Sequence, residues 1–157
     1  MIKDEKLLNH PKIHWIQNNL NHLNINSSSL TESYSLLSTI PYIKEKFPNI
    51  KYIFKCTGRY FLENLNQQIN FITNELIMVD LYLQKRCDIN ISWQNTEYYG
   101  IKLELLEKLC NICLDECTHM EKALFFLRER FNLSCYLLNP YPNDIARGGD
   151  KLILNPL

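Results

Sequence analysis

The clearest periodicity in the chain runs through residues 102–117. Leu103, Leu106, Leu109, Cys110, Cys113 and Cys117 recur at the 3.6-residue spacing of an amphipathic helix. A second helical pattern covers about 119–131, with Ala123, Leu124, Leu127 and Phe131 on its apolar side. Upstream, Ser29 or Thr31 can cap a helix reaching about Lys46, with Leu30, Tyr34, Leu37 and Ile40 on one face. Pro41 interrupts that pattern and is expected to split or kink it. A shorter helix fits 60–72. Runs rich in β-branched and aromatic residues read as strands at 51–56, Glu75 to Leu83, Asp88 to Trp93 and Ser134 to Leu138. Short strands are also expected at 13–16 and 152–154, with a Pro/Gly/Asp loop over 139–150. Loosely alternating strands and helices predict an α/β domain with an open mixed sheet flanked by helices.

A length of 157 residues fits one domain spanning 1–157. The 17 basic and 17 acidic residues cancel, so no net field draws the chain to nucleic acid, and no basic stripe is present. No apolar run reaches the ~20 residues of a membrane span. The charged start MIKDEKLLNH is unlike a secretion signal, so the expected setting is cytoplasmic. In that setting the six Cys are read as reduced thiols. Cys110, Cys113 and Cys117 share a helix face, but no second CxxC or CxxH partner completes a metal set, and buried thiols pack as small hydrophobes.

Three segments carry more pointed chemistry. Lys55-Cys56-Thr57-Gly58-Arg59-Tyr60 ends a strand in a turn that at once presents a cation. Ligands of open α/β sheets bind beyond strand carboxyl ends, Gly58 permits close backbone approach, and Arg59 suits a phosphate. The segment is not a P-loop. Trp93-Gln94-Asn95-Thr96-Glu97-Tyr98-Tyr99-Gly100 sets an acid among flat aromatic faces just before the best helix, where Glu97 can serve as a general base or bind a sugar hydroxyl or a metal. Arg147-Gly148-Gly149-Asp150 forms a flexible loop able to close on an anion. The other acids are plainer. Glu32 and Glu121 sit at helix starts, where they complement the dipole. Asp80 interrupts an apolar strand and is a minor candidate ligand.

Taken in order, Ser29-Leu30-Thr31-Glu32-Ser33, Phe54-Lys55-Cys56-Thr57-Gly58-Arg59-Tyr60-Phe61-Leu62, Asn95-Thr96-Glu97-Tyr98-Tyr99-Gly100, Met120-Glu121 and Arg147-Gly148-Gly149-Asp150 resemble a group of glycosyltransferase-like proteins of bacterial surface-polysaccharide loci and large DNA viruses. The resemblance spans about 29–154. It implies a partial GT-A-like (Rossmann-like) fold and transfer of a sugar from a nucleotide-sugar to a glycan or other acceptor. Glu97 and Glu121 would be the catalytic acids. Lys55, Thr57, Gly58, Arg59, Tyr60, Thr96, Tyr98, Arg147, Gly148, Gly149 and Asp150 would bind substrate. Two departures stand out. Only about 28 residues precede the first matching helix, so the N-terminal units that build a nucleotide site are expected to be missing, or supplied by a homo-oligomer or partner subunit. No Asp-x-Asp metal motif is present, which leaves a need for Mn²⁺ or Mg²⁺ open. The alternative reading is a non-catalytic carbohydrate- or nucleotide-binding remnant, or an interaction module.

Overall fold

The structure is a computed structural model that describes residues 11, 14, 16, 18, 20, 25–56, 65–84, 93–138, 145–146 and 153–154. Its elements are α1 (Ser28–Lys46), β1 (Tyr52–Cys56), α2 (Leu65–Asn74), β2 (Leu81–Gln84), β3 (Tyr98–Lys102), α3 (Leu103–Asp115), α4 (Met120–Phe131), β4 (Cys135–Leu138), β5 (Ile145–Ala146) and β6 (Ile153–Leu154). Four strands form an open mixed sheet in the order β1-β3-β2-β4. β3 runs antiparallel to β1 and β2, and β4 runs parallel to β2. β5 and β6 make a separate two-stranded ribbon. The expected α/β class with a mixed sheet is therefore present. Among the described residues no helix is long and apolar enough to cross a membrane.

Alternation along the strands divides the core in two. Leu81, Leu83, Tyr99 and Ile101 face the helical layer, meeting Leu105, Leu106, Leu109, Leu124 and Leu127 of α3 and α4. Tyr82, Tyr98 and Leu138 face the other way, with Ile72 of α2 and the half-buried Tyr52, Phe54 and Tyr136. Gly100 lies between these aromatic rings. A Cβ there would stand 2.7 Å from Phe54 Cε1 and 2.9 Å from Tyr82 Cδ2, so only a residue without a side chain fits without repacking.

Several boundaries differ from the expectations. α1 starts one turn earlier than Thr31 would place it, because Ser27 is its N-cap and accepts from the Leu30 N–H at 3.5 Å. Pro41 lies inside α1 without ending it. Tyr34 is exposed; Ser29, Ser33 and Ile40 are the buried positions. Residues 75–80 are not strand. α2 ends with Leu76 in the left-handed region at φ 49°, and the Ile77 N–H reaches back to the Ile72 carbonyl at 3.1 Å. This is a Schellman ending with Leu where Gly is usual. Cys117 and Asn132 hold the same position after α3 and α4, with Thr118 N–H to Cys113 O and Leu133 N–H to Arg128 O, each at 3.1 Å. Cys117 is thus an exposed turn residue and not part of the apolar helix face. His14 and Ile16 are neither helix nor strand, and Trp93 is irregular; the rest of the proposed 88–93 strand and residues 60–64 lie outside the described residues. The largest correction is at 98–102. The run taken as the approach to a helix is one of the two inner strands of the sheet.

Candidate functional site

Chain direction sets the site. β1, β2 and β4 end at one edge of the sheet, where antiparallel β3 begins. The segments 93–97 and the start of α4 belong to this same edge, since the Gln94 N–H donates to the Glu121 carbonyl at 3.3 Å and Gln94 Nε2 to the Gln84 carbonyl at 2.9 Å.

Lys55 is the hub. As the fourth residue of β1 its side chain turns to the helical face, where a lone ammonium needs a counter-charge. Its Nζ lies 2.7 Å from Glu32 Oε1 of α1 and donates to the Thr96 carbonyl at 2.9 Å. It also stands 5.7 Å from the centroid of the Tyr99 ring. With side-chain exposures of 14% for Lys55 and 31% for Glu32, the pair is half removed from water, and its attraction is stronger than that of a surface pair. Three separate pieces of chain, α1, β1 and the 93–97 segment, are tied by one ammonium group.

The surroundings hold polar groups that the fold does not use. Tyr99 is fully buried and its hydroxyl makes no hydrogen bond. Burial pushes that hydroxyl well above its ordinary pKa, and the charges of Glu32, the Cys110 and Cys113 thiols and Glu121 add to the effect. Gln84 is also fully buried, and both ends of its carboxamide lack a partner. It follows Leu83 on β2, so it sits on the aromatic face of the sheet at the same edge. Such buried, unmatched groups cost free energy in the folded state, and native proteins keep few of them.

Of the residues singled out from sequence, Lys55, Thr96, Glu97, Tyr98 and Glu121 come together at this edge. Thr96 is buried and Glu97 half-buried. Tyr98 is buried in the aromatic layer on the face away from Lys55, so its ring serves the core. Thr57, Gly58, Arg59, Tyr60, Arg147, Gly148, Gly149 and Asp150 lie outside the described residues. Glu32, taken from sequence as a dipole-complementing acid, proves to be the counter-ion of Lys55. The signal for it was Lys55 itself, a single charge in the run Tyr52-Ile53-Phe54-Lys55-Cys56. Nothing in sequence marked Gln84 or the Tyr99 hydroxyl.

The remaining candidates are structural. Cys110 and Cys113 are buried free thiols; burial raises both, Cys110 to about 12, so they stay protonated core groups. Among the described residues no three His, Cys, Asp or Glu side chains are grouped to hold a metal ion. Asp80 is a cross-brace at the opposite edge. Its carboxylate takes Lys102 Nζ at 2.6 Å, Ser134 Oγ at 2.7 Å and the Ser134 N–H at 2.9 Å, which holds its pKa at about 2.

Comparison of the chain with protein-family models, with curated proteins and with solved structures gave no match.

Proposed function

We propose that this chain is a GT-A-like glycosyltransferase domain that moves a sugar from a nucleotide-sugar donor to a glycan or other hydroxyl acceptor. One observation carries the reading. The segments whose order resembles that family are far apart in sequence, yet four of the five meet at one sheet edge: Glu32 and Thr96 on Lys55, and Glu121 on Gln94. That edge, at the carboxyl ends of β1, β2 and β4, is where open α/β sheets bind ligands, which supports the reading.

In this reading the half-buried carboxylates of Glu97 and Glu121 accept hydrogen bonds from sugar hydroxyls. One of them takes the acceptor's hydroxyl proton as the acceptor oxygen bonds to the anomeric carbon and the donor's nucleotide leaves. Lys55 acts through the groups it ties, fixing the end of β1 against the Thr96 carbonyl. Arg59, which lies outside the described residues, is the cation this reading assigns to the diphosphate or the acceptor.

The test is a thermal-shift screen of the purified chain against UDP-, GDP- and CMP-sugars, with and without Mn²⁺. The expected result is a rise in Tm with one donor class that vanishes in Arg59→Ala while the ligand-free Tm stays unchanged. A well-folded chain that responds to none of the donors in either condition would remove the transferase reading.

A further inference from the structure

We infer that the cavity at the start of β1 is a binding site for a small organic anion with an apolar body, such as a medium-chain carboxylate. It lies at the opposite end of the sheet from Lys55, so the inference does not rest on the sugar-transfer reading.

The cavity measures about 380 Å³ and sits between the end of α1, the start of β1, the segment that leads into β2 and the start of α3. Small-molecule sites are commonly of this size, mostly apolar, with a few convergent polar groups. Backbone bonds fix its walls to one another: the Leu103 N–H donates to the Lys51 carbonyl at 2.8 Å, and the Lys102 N–H to the Asp80 carbonyl at 3.2 Å. Ile50, Tyr52, Met78 and Leu103 supply the carbon surface. Tyr52 turns its hydroxyl to the Val79 carbonyl at 2.8 Å. Ile50 and Met78 stay 39% and 64% exposed. Single exposed apolar side chains are ordinary, but these two line one concave space.

Three ammonium groups from separate parts of the chain line the same space: Lys44 of α1, Lys51 just before β1 and Lys102 of β3. The one acid in the lining is Glu104. Lys102 gives one donor to Asp80 at 2.6 Å and has others left, since an ammonium carries three. Among the described residues Lys44 and Lys51 make no ion pair. The end of α1 accounts for Lys44, because helix C-terminal carbonyls favour a cation. It does not account for the other two ammonium groups beside it. Even with Glu104 and Asp80 both counted, the cavity keeps a positive charge in a chain whose formal total is zero. Like charges held together repel one another and gain from an anion.

The complement of this surface is one acidic head on an apolar body. The head answers the lysines, and the body covers Ile50 and Met78. An inorganic anion would leave the carbon surface wet, an uncharged apolar molecule would leave the lysines unanswered, and Glu104 opposes a ligand of high negative charge.

The test is methyl-resolved NMR of the full chain titrated with octanoate. The expected result is that octanoate shifts the Ile50 and Met78 methyl signals and saturates with a Kd on the order of 1 mM. Octylammonium, which has the body with the wrong charge, and acetate, which has the charge without the body, should leave both signals in place. Lys44 and Lys51 are exposed, so Lys44→Gln combined with Lys51→Gln should keep the fold and weaken octanoate by about ten-fold. Unmoved methyl signals overturn the inference. So do equal shifts with octylammonium or acetate, and so does undiminished binding in the folded double variant. Contacts from another segment of the chain to the Ile50 and Met78 methyls in the ligand-free sample overturn it as well, because the chain itself would then fill the cavity.

Discussion

The sheet carries a lysine–carboxylate pair at each end, and the two pairs are built differently. At the end where β2 begins, Lys102 meets Asp80 at 2.6 Å, and Ser134 supplies both its hydroxyl and its N–H to the same carboxylate. The arrangement joins β2, β3 and β4 and uses its hydrogen-bonding capacity inside the fold. At the other end Lys55 meets Glu32 at 2.7 Å; a buried tyrosine hydroxyl without a partner lies on the same face, and a buried carboxamide without a partner lies on the opposite face of the sheet. Stability alone would favour filling those sites with apolar groups. The first end behaves as a brace; the second retains polar groups at a cost, which is the usual mark of a place where something else binds.

The largest effect that separates the two ends comes from Lys55→Met. It leaves Glu32 without its counter-ion and frees the Thr96 carbonyl, so a loss of about 3 kcal/mol is expected, at the low end for a broken buried pair because Glu32 is partly solvated. Chemical denaturation would read the loss. Adding Glu32→Gln should recover part of it, since no uncompensated charge then remains, yet the response to a nucleotide-sugar should stay lost. Recovery of the ligand response together with stability would make this pair a brace like the other.

Asp80→Asn is next in size. The carboxylate's pKa falls from 3.8 to about 2 in the folded chain, a difference worth about 2 kcal/mol at neutral pH. Because the folded pKa is the lower one, the contribution is complete above pH 4 and disappears as the pH drops towards 2. Denaturation curves of the natural chain and the variant should therefore differ by about that amount at pH 7 and converge near pH 2, with ligand response unchanged at pH 7. A gap that persists at pH 2 would mean that the brace acts through shape and not through charge.

How much of this was legible beforehand follows from where each signal resides. α3 and α4 were readable because their apolar faces repeat within the element itself, and Cys110 and Cys113 were correctly placed in the core by that repeat. β3 was not, because Tyr98-Tyr99-Gly100-Ile101-Lys102 is apolar on both faces and has a glycine at its centre. Its strand character comes from β1 and β2 on either side, and its glycine from the Phe54 and Tyr82 rings that need the room. The run 75–80 misled for a different reason. Leu76 occupies a left-handed turn position, so the glycine that would have marked the end of α2 is missing. At the site, Lys55 and Glu97 were visible as charges out of place. The partner of Lys55, 23 residues upstream, became visible only once α1 was laid over β1.

The smallest expected effect has the opposite sign and bears most directly on the contrast between the two ends. Gln84→Met keeps the length of the side chain and removes a buried carboxamide that has no hydrogen-bond partner. Replacing an unmatched polar group with an apolar one of similar shape should raise stability by about 1 kcal/mol, or about 2–4 °C in Tm for a chain of this length. Ligand binding should weaken in the same variant. A gain in Tm with a loss of nucleotide-sugar response would show that Gln84 is held ready for a ligand at the expense of the fold. A fall in Tm would show that Gln84 is satisfied within the folded chain, and the two ends of the sheet would then differ in their residues without differing in kind.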